Sequence, residues 1–444
     1  MLLSIFNIPN GLVNMAEIIS RTSDEITIQV TVKLTGSMLD MEQTIQQGVN
    51  DVGKTATKEA LMQFETTGQN MQIGSLRLYC KEKVTKEYET PYGRVALDRY
   101  VYQGVKGGGT FCPLDQNARI VIHSTPKFAK MITSKYSNSS AMDVAYDLEQ
   151  NHGRHVSKGF IQTVSDYVGS IAQASEEHWD YSVPEQKDYI ETIAVSLDGT
   201  MMLMVGDGYR EAMTGNISLY NMEGVRTHTI YVGASPEYGK QRFLERLQRE
   251  IDRIKTKYPE AKYVGIADGA ANNWKFLEPN TTYHILDFYH ATEYLSRASY
   301  AFAKIDAERQ KWLSASCHEL KHTTGAAETL LTQMKQQQIN IASKKQISQT
   351  IKDHLDQAIT YFTNQLSRMD YPTYREANMP IGSGVTEAAC KVLIKERLCK
   401  SGMKWKDQGA KTVLALRSLV KTPNRFEQFW QKMTQIGWDD LVLV

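Results

Sequence analysis

The chain has no C-x-x-C pair. Its five cysteines stand at 80, 112, 317, 390 and 399. An odd number at such spacings excludes a disulfide framework and a cysteine-rich zinc site, and suits a reducing cytoplasm. Cys80 and Cys112, on either side of a hairpin and a glycine loop, are too few to hold zinc by themselves. Charge of one sign is missing too: 51 Lys and Arg face 50 Asp and Glu, a net charge of +1. No global basic field announces nucleic acid, so any such surface must be a local patch. No stretch approaches the roughly 20 apolar residues of a membrane span. The opening "MLLSIFNIPNG" lacks a basic n-region and is not expected to be a leader. Phosphate-loop, H-E-x-x-H and G-x-S-x-G motifs are absent, and "VGDGYRE" puts Glu211 where a dinucleotide fingerprint needs its third glycine.

What is present suits a globular chain of 444 residues, enough for two or three domains. Residues 40 to 75 carry apolar positions at helical period. Around Pro91-Tyr92-Gly93, β-branched and aromatic residues predict a hairpin, followed by the flexible "GVKGGGTF". From about 125 to 175 the pattern is helical. Ala145 and Leu148 fall on one helix, Gly153 at a turn, and Val156, Phe160, Val164 and Val168 follow, the spacing of a helix-turn-helix or of two packed helices. Residues 176 to 188 look like a linker. Then come three strands ("YIETIAVSLD", "REAMTGNISLYN", "VRTHTIYVGA"), an amphipathic helix, a fourth strand ("AKYVGIAD"), a short helix and a fifth strand ("TTYHILD"). A helical stretch runs from about 288 to 370, "MPIGSGV" breaks it, and a last helix starts near Thr386.

Carboxylates end three of these strands: Asp198, Asp268 and Asp287. If the first and fourth strands lie side by side and parallel, Asp198 and Asp268 emerge at one sheet edge, where open α/β sheets hold their sites. Two neighbouring carboxylates repel unless something positive lies between them, and hard oxygen ligands suit Mg²⁺. A third ligand is expected from Glu387, in the first turn of a helix that Ser383 or Thr386 could cap, with Lys391 and Lys395 following on nearly the same face. Residues 388 to 425 hold ten Lys or Arg against two acidic residues. This is the local basic patch. Trp405, between Lys404 and Lys406, favours a surface that stacks on bases and contacts phosphates, although a charge run is also what a solvated helix face looks like.

"VSLDGT", "GIADGA", "LDFYHATEYL" and "GSGVTEAACKVLIKERLCKSGMKW", in this order, resemble a bacterial insertion-sequence DDE transposase, with the ISKra4 family the nearest in pattern. The resemblance covers about residues 190 to 425 and, more weakly, the front half. It implies a ribonuclease H-like α/β core of three antiparallel and two parallel strands with flanking helices and a helical insertion. A mostly helical DNA-binding region with a β-hairpin would precede it. The implied divisions are 1–120 (helix and hairpin), 121–180 (helix-turn-helix-like), 189–290 (first part of the core), 291–378 (insertion) and 379–444 (last core helix and basic end). Asp198, Asp268 and Glu387 would be the catalytic and metal-binding triad for two Mg²⁺ ions, with Mn²⁺ as substitute. His290, Lys391, Lys395, Arg397, Lys404 and Trp405 would contact DNA. The partners implied are the terminal repeats of the element, target DNA and a second copy of the chain. "DFYH" resembles a C/D-x-x-H motif of related transposases. There Asp287 would orient His290, while Trp274 is expected in the core, with stacking on a displaced base as the alternative.

Two other readings remain open. A haloacid-dehalogenase-like phosphohydrolase is suggested by "SLDGT" and "GIADGAANN", but its chemistry needs an aspartate nucleophile at 196, where the chain has Ser196. A transposase-derived protein that binds DNA without cutting it would keep the same pattern.

Overall fold

The computed structural model describes residues 15–73, 76–104, 108–400 and 402–436. The N-terminal stretch expected not to be a leader, and part of the glycine-rich loop after the hairpin, lie outside them. The chain divides into two compact units, residues 1–174 with 429–444, and residues 175–428.

The first unit opens with an antiparallel hairpin, β1 (Ala16–Arg21) and β2 (Ile26–Val30). Helix α1 (Met38–Met62) starts in a capping box between Ser37 and Asp40. Strands β3 (Met71–Ile73), β4 (Leu76–Glu89), β5 (Arg94–Gly104) and β6 (Thr110–Phe111) form an antiparallel sheet in sequence order. The expected hairpin is β4–β5, closed by Thr90 and Gly93. Four helices follow: α2 (Pro113–Asn117), α3 (Pro126–Asn138), α4 (Ala141–His152) and α5 (Lys158–Ser175). The turn expected at Gly153 is there. Its φ of 60° ends α4 in a left-handed cap, a conformation glycine adopts without strain. Leu148, Val156, Val164 and Val168 are buried as the spacing predicts. Arg154, also buried, reaches from this turn to the carboxylate of Glu89 and the carbonyl of Thr90.

The second unit is built on a mixed five-stranded sheet. Strands β7 (Ile190–Met204), β8 (Gly208–Asn221) and β9 (Arg226–Ala234) run antiparallel. Helix α6 (Lys240–Lys257) leads to β10 (Lys262–Ala267), α7 (Ala271–Leu277) and β11 (Tyr283–Leu286). The spatial order is β11-β10-β7-β8-β9, with β10 parallel to both of its neighbours. Ile193, Val195 and Ile217 face Phe243, Leu247 and Ile251 of α6 on one side of the sheet, and Val264 and Ile285 fill the core on the other. Helices α8 (Phe288–Phe302), α9 (Asp306–His322), α10 (Ala326–Ala342), α11 (Gln349–Gln365) and α12 (Tyr371–Glu376) make up the long helical stretch. After the break at 378–383 come α13 (Gly384–Ala389), a π-helical turn (Cys390–Lys395), α14 (Glu396–Leu398), α15 (Asp407–Lys421) and α16 (Arg425–Ile436), whose residues from Phe429 on belong to the first unit. Among the described residues, no helix is long and apolar enough to cross a membrane.

One expectation about the sheet needs correction. Asp198 does not end its strand: β7 continues six residues further, to Met204, paired throughout with β8. Only the partnership with β10 stops near Asp198, because β10 is short.

Candidate metal and nucleic-acid site

Parallel register brings the carboxylates together. Ser196 pairs with Ile266, so Asp198 and Asp268 stand two residues beyond matched positions on adjacent strands, about 5 Å apart at the backbone. Ala267 pairs with Leu286, which continues the row to Asp287. Three aspartates therefore cross three neighbouring strands.

Their environments differ. Asp198 Oδ1 accepts the N–H of Gly199 at 2.7 Å, and the thiol of Cys390 donates to Oδ2 at 3.5 Å. Burial pushes the Asp198 carboxyl above its ordinary range, and the negative Asp268 adds to the effect. The Gly199 and Cys390 hydrogen bonds and the nearby His290 act the other way. Among the described residues, neither Lys nor Arg forms an ion pair with Asp198 or Asp268. A cation is what the pair lacks.

Asp268 sits on a turn that other elements hold. Its Oδ1 accepts Ala270 N–H at 3.1 Å and Asn273 Nδ2 at 3.4 Å. Tyr361 of α11 donates to its carbonyl at 2.7 Å, and Gln365 donates to the carbonyl of Gly269 at 3.1 Å. Gly269 has φ +100°, and a Cβ there would lie 2.9 Å from the Tyr361 ring. Glycine is required on both counts.

Asp287 is wholly buried, and both of its oxygens are engaged. Oδ1 accepts the N–H groups of Tyr289 and His290 and so caps α8; Oδ2 accepts the backbone N–H of Ser383 at 2.9 Å and its hydroxyl. Asp287 thus caps the helix that carries His290 and also anchors the loop that precedes Glu387. Ser383 and Thr386 do not cap α13. Ser383 is held by Asp287. Thr386 bonds to Ser196, and Asn216 donates to both hydroxyls at 3.1 and 2.8 Å. Buried hydroxyls are better satisfied by a cross-link between helix and sheet than by a solvent-facing cap. These links set α13 on the sheet face that carries Ser196 and Asp198.

Glu387 is exposed, and among the described residues its side chain makes no hydrogen bond or ion pair with protein. Ligand atoms of Asp287, His290 and Glu387 all lie within 4.8 Å of one another. His290 is near Glu387 and close enough to Asp198 to lower its carboxyl pKa. It is one-third exposed, and its Nδ1 lies 3.8 Å from Glu293.

Oxygens remain for a hard cation. Glu387 has both, Asp268 keeps Oδ2, and Asp198 Oδ2 has only a weak thiol donor. Carboxylate oxygens are the ligand type that Mg²⁺ or Mn²⁺ takes, but among the described residues the ligand atoms that lie close together are those of Asp287, His290 and Glu387, and Asp198 and Asp268 are not in that group. Asp287 is spent on its four hydrogen bonds.

The basic segment divides in two. Lys391, Lys395, Lys400, Lys404 and Lys406 are exposed and form no ion pair among the described residues. Arg397, expected on DNA, is 4% exposed and stacks on Trp405 with its guanidinium 5.0 Å from the ring centroid. Trp405 is itself structural. Its indole N–H donates to the Leu398 carbonyl at 2.8 Å, and its backbone bridges Met204 of β7. The π-helical turn rotates Arg397 inward. The carbonyls it frees at Val392 and Leu393 are taken by the buried Arg417. Trp274, expected in the core, is 4% exposed there.

Sequence reasoning missed Cys390 and Tyr361. Cys390 follows Glu387 by three residues, one helical turn, which is a usable signal. Tyr361 lies 93 residues from Asp268, and no sequence signal links them. No family model matches this chain, and no curated protein matches it.

Proposed function

We propose that this chain is a DDE transposase of the bacterial insertion-sequence type. It cuts the ends of its own element and joins the freed 3′-hydroxyl to target DNA. The observation that carries the reading is the register of Asp198 beside Asp268 on parallel strands, without a protein cation, on the sheet face to which α13 is tied. The strand order agrees with the ribonuclease H-like core that the resemblance implies, and the helices between β11 and α13 agree with its insertion.

In this reading Asp198, Asp268 and Glu387 hold two Mg²⁺ ions, with Mn²⁺ as substitute. Bound there, the ions would acidify a water or a DNA 3′-hydroxyl and stabilise the leaving oxygen. The chain supplies the geometry. Cys390 and Gly199 orient the Asp198 carboxylate, Tyr361 and Gln365 fix the Asp268 turn, and Asp287 holds the loop before Glu387. Lys391, Lys395 and Lys404 neutralise DNA phosphates, and His290 donates to a phosphate or flanking base. The α4–α5 pair reads duplex DNA. Two element ends must be held at once, so the active form is a homodimer, with the helices between 290 and 370 as its contact. The reaction belongs in the bacterial cytoplasm, on the nucleoid.

The phosphohydrolase alternative loses ground at Ser196, whose buried hydroxyl is bonded to Thr386 and Asn216. A binding-only descendant is separated by assaying cutting apart from binding. Purified protein, Mg²⁺ and duplexes copied from the DNA on either side of this gene should give strand breaks that Asp268→Asn abolishes without loss of binding. Cutting that survives Asp268→Asn defeats the assignment.

A further inference from the structure

The β7–β8 hairpin projects beyond the sheet. From Thr200–Ala212 to Met204–Gly208 its strands pair only with each other, until the segment around Trp405 adds to the free edge of β7. There Trp405 N–H donates to the Leu203 carbonyl at 3.0 Å and Val205 N–H to the Trp405 carbonyl at 2.8 Å.

Alternation along these three strands sorts the side chains. On the face shared with Asp198, Met202, Met204 and Ala212 are buried. Trp405, bridged to Met204, belongs to that face. The opposite face carries Met201, Leu203 and Tyr209, and the alternation assigns Lys404 and Lys406, the neighbours of Trp405, to it as well. Met201 is 53% exposed, Tyr209 68%, and Val205 at the tip 52%. One acid, Glu211, lies at the base of this face against Gly199. Arg210 is on the buried-side parity and is paired with Asp207 and Glu237.

An exposed tyrosine and apolar side chains beside two lysines without ion pairs match the chemistry of nucleic acid: a π-face for a base and cations for its phosphates. Tyr209 pairs with Leu203, five residues beyond Asp198, or about 17 Å along the strand.

We propose that the projecting β7–β8 hairpin is a DNA-contacting arm. Tyr209 stacks on an exposed base of the flanking DNA, and Lys404 and Lys406 hold the adjoining phosphates. This rests on the transposase reading and adds to it a contact outside the carboxylate site.

The test uses the full-length chain and duplexes copied from the DNA flanking this gene, with 2-aminopurine placed at successive positions. Binding and fluorescence are read in an Asp198→Asn background, and cutting in the otherwise native protein with Mg²⁺. Tyr209→Ala should weaken binding about fivefold or more and remove a fluorescence change confined to one flanking position, while Tyr209→Phe retains both. Replacing Lys404 and Lys406 by alanine should lower the salt dependence of binding by about two units. If the parent cuts and binds but Tyr209→Ala matches it in affinity and fluorescence, the arm is refuted and the transposase reading stands. A parent that neither binds nor cuts removes both. A concentration-dependent dimer that Tyr209→Ala dissolves, with DNA binding unchanged, would assign this face to a second copy and overturn the proposal.

Discussion

Asp287 and Ser383 are 96 residues apart and joined twice: Oδ2 of the wholly buried aspartate accepts both the backbone N–H and the hydroxyl of the serine. The same carboxylate caps α8 through Oδ1. It ties the tip of β11 to the loop from which Glu387 departs, so the helical stretch can be long without loosening the site.

Replacing Asp287 by alanine leaves four donors short of an acceptor, two of them from Ser383. Breaking a buried charge-assisted network costs about 3–5 kcal/mol. Asp287→Ala should therefore melt well below the parent, and amide exchange should quicken first around 381–390. Unchanged exchange there would mean the loop is held by other contacts.

Asp198 is a buried carboxylate beside a second one, with its titration shifted upward chiefly by burial. Without divalent metal, Asp198→Asn should be as stable as the parent or more so at neutral pH, while cutting is abolished. Adding millimolar Mg²⁺ should raise the melting temperature of the parent and leave Asp198→Asn unmoved. Thermal melts with Mg²⁺ and with chelator check both statements.

Gly269→Ala combines a left-handed backbone with a Cβ 2.9 Å from the Tyr361 ring. A cost of about 1–3 kcal/mol is expected, with Asp268 displaced and activity falling further than stability. Tyr361→Leu in the same background should recover part of the stability and none of the activity.

His228 is 6% exposed, and burial lowers its pKa to about 4, with Arg425 and Lys257 adding to the effect. The imidazole stays neutral in the fold but takes up a proton in the unfolded chain below about pH 6.5. Its contribution is full above that pH and is lost as pH falls toward 4, by about 3 kcal/mol in all. His228→Gln should flatten stability against pH between 6.5 and 4 in denaturant titrations.

The row of strand-end aspartates was legible because strands that end in aspartate are short apolar runs, and β10 and β11 behave that way. β7 does not. "TMMLM" after Gly199 continues the strand, and sequence alone could not say that its partner would be the Trp405 segment, two hundred residues away. The hairpin at 16–30 was overlooked although "EITIQV" alternates. Arg397 was misassigned because a charge run does not show which member a π-helical turn rotates inward. The hydroxyls of Ser383 and Thr386 had two uses open to them, capping and cross-linking, and only the fold chose between them.

The most direct measurement is movement of a marker flanked by the native DNA from either side of this gene, with the chain supplied in trans at matched levels. The account predicts movement with the parent and none with Asp198→Asn, Asp268→Asn or Glu387→Gln. Movement that persists with Asp268→Asn would contradict it.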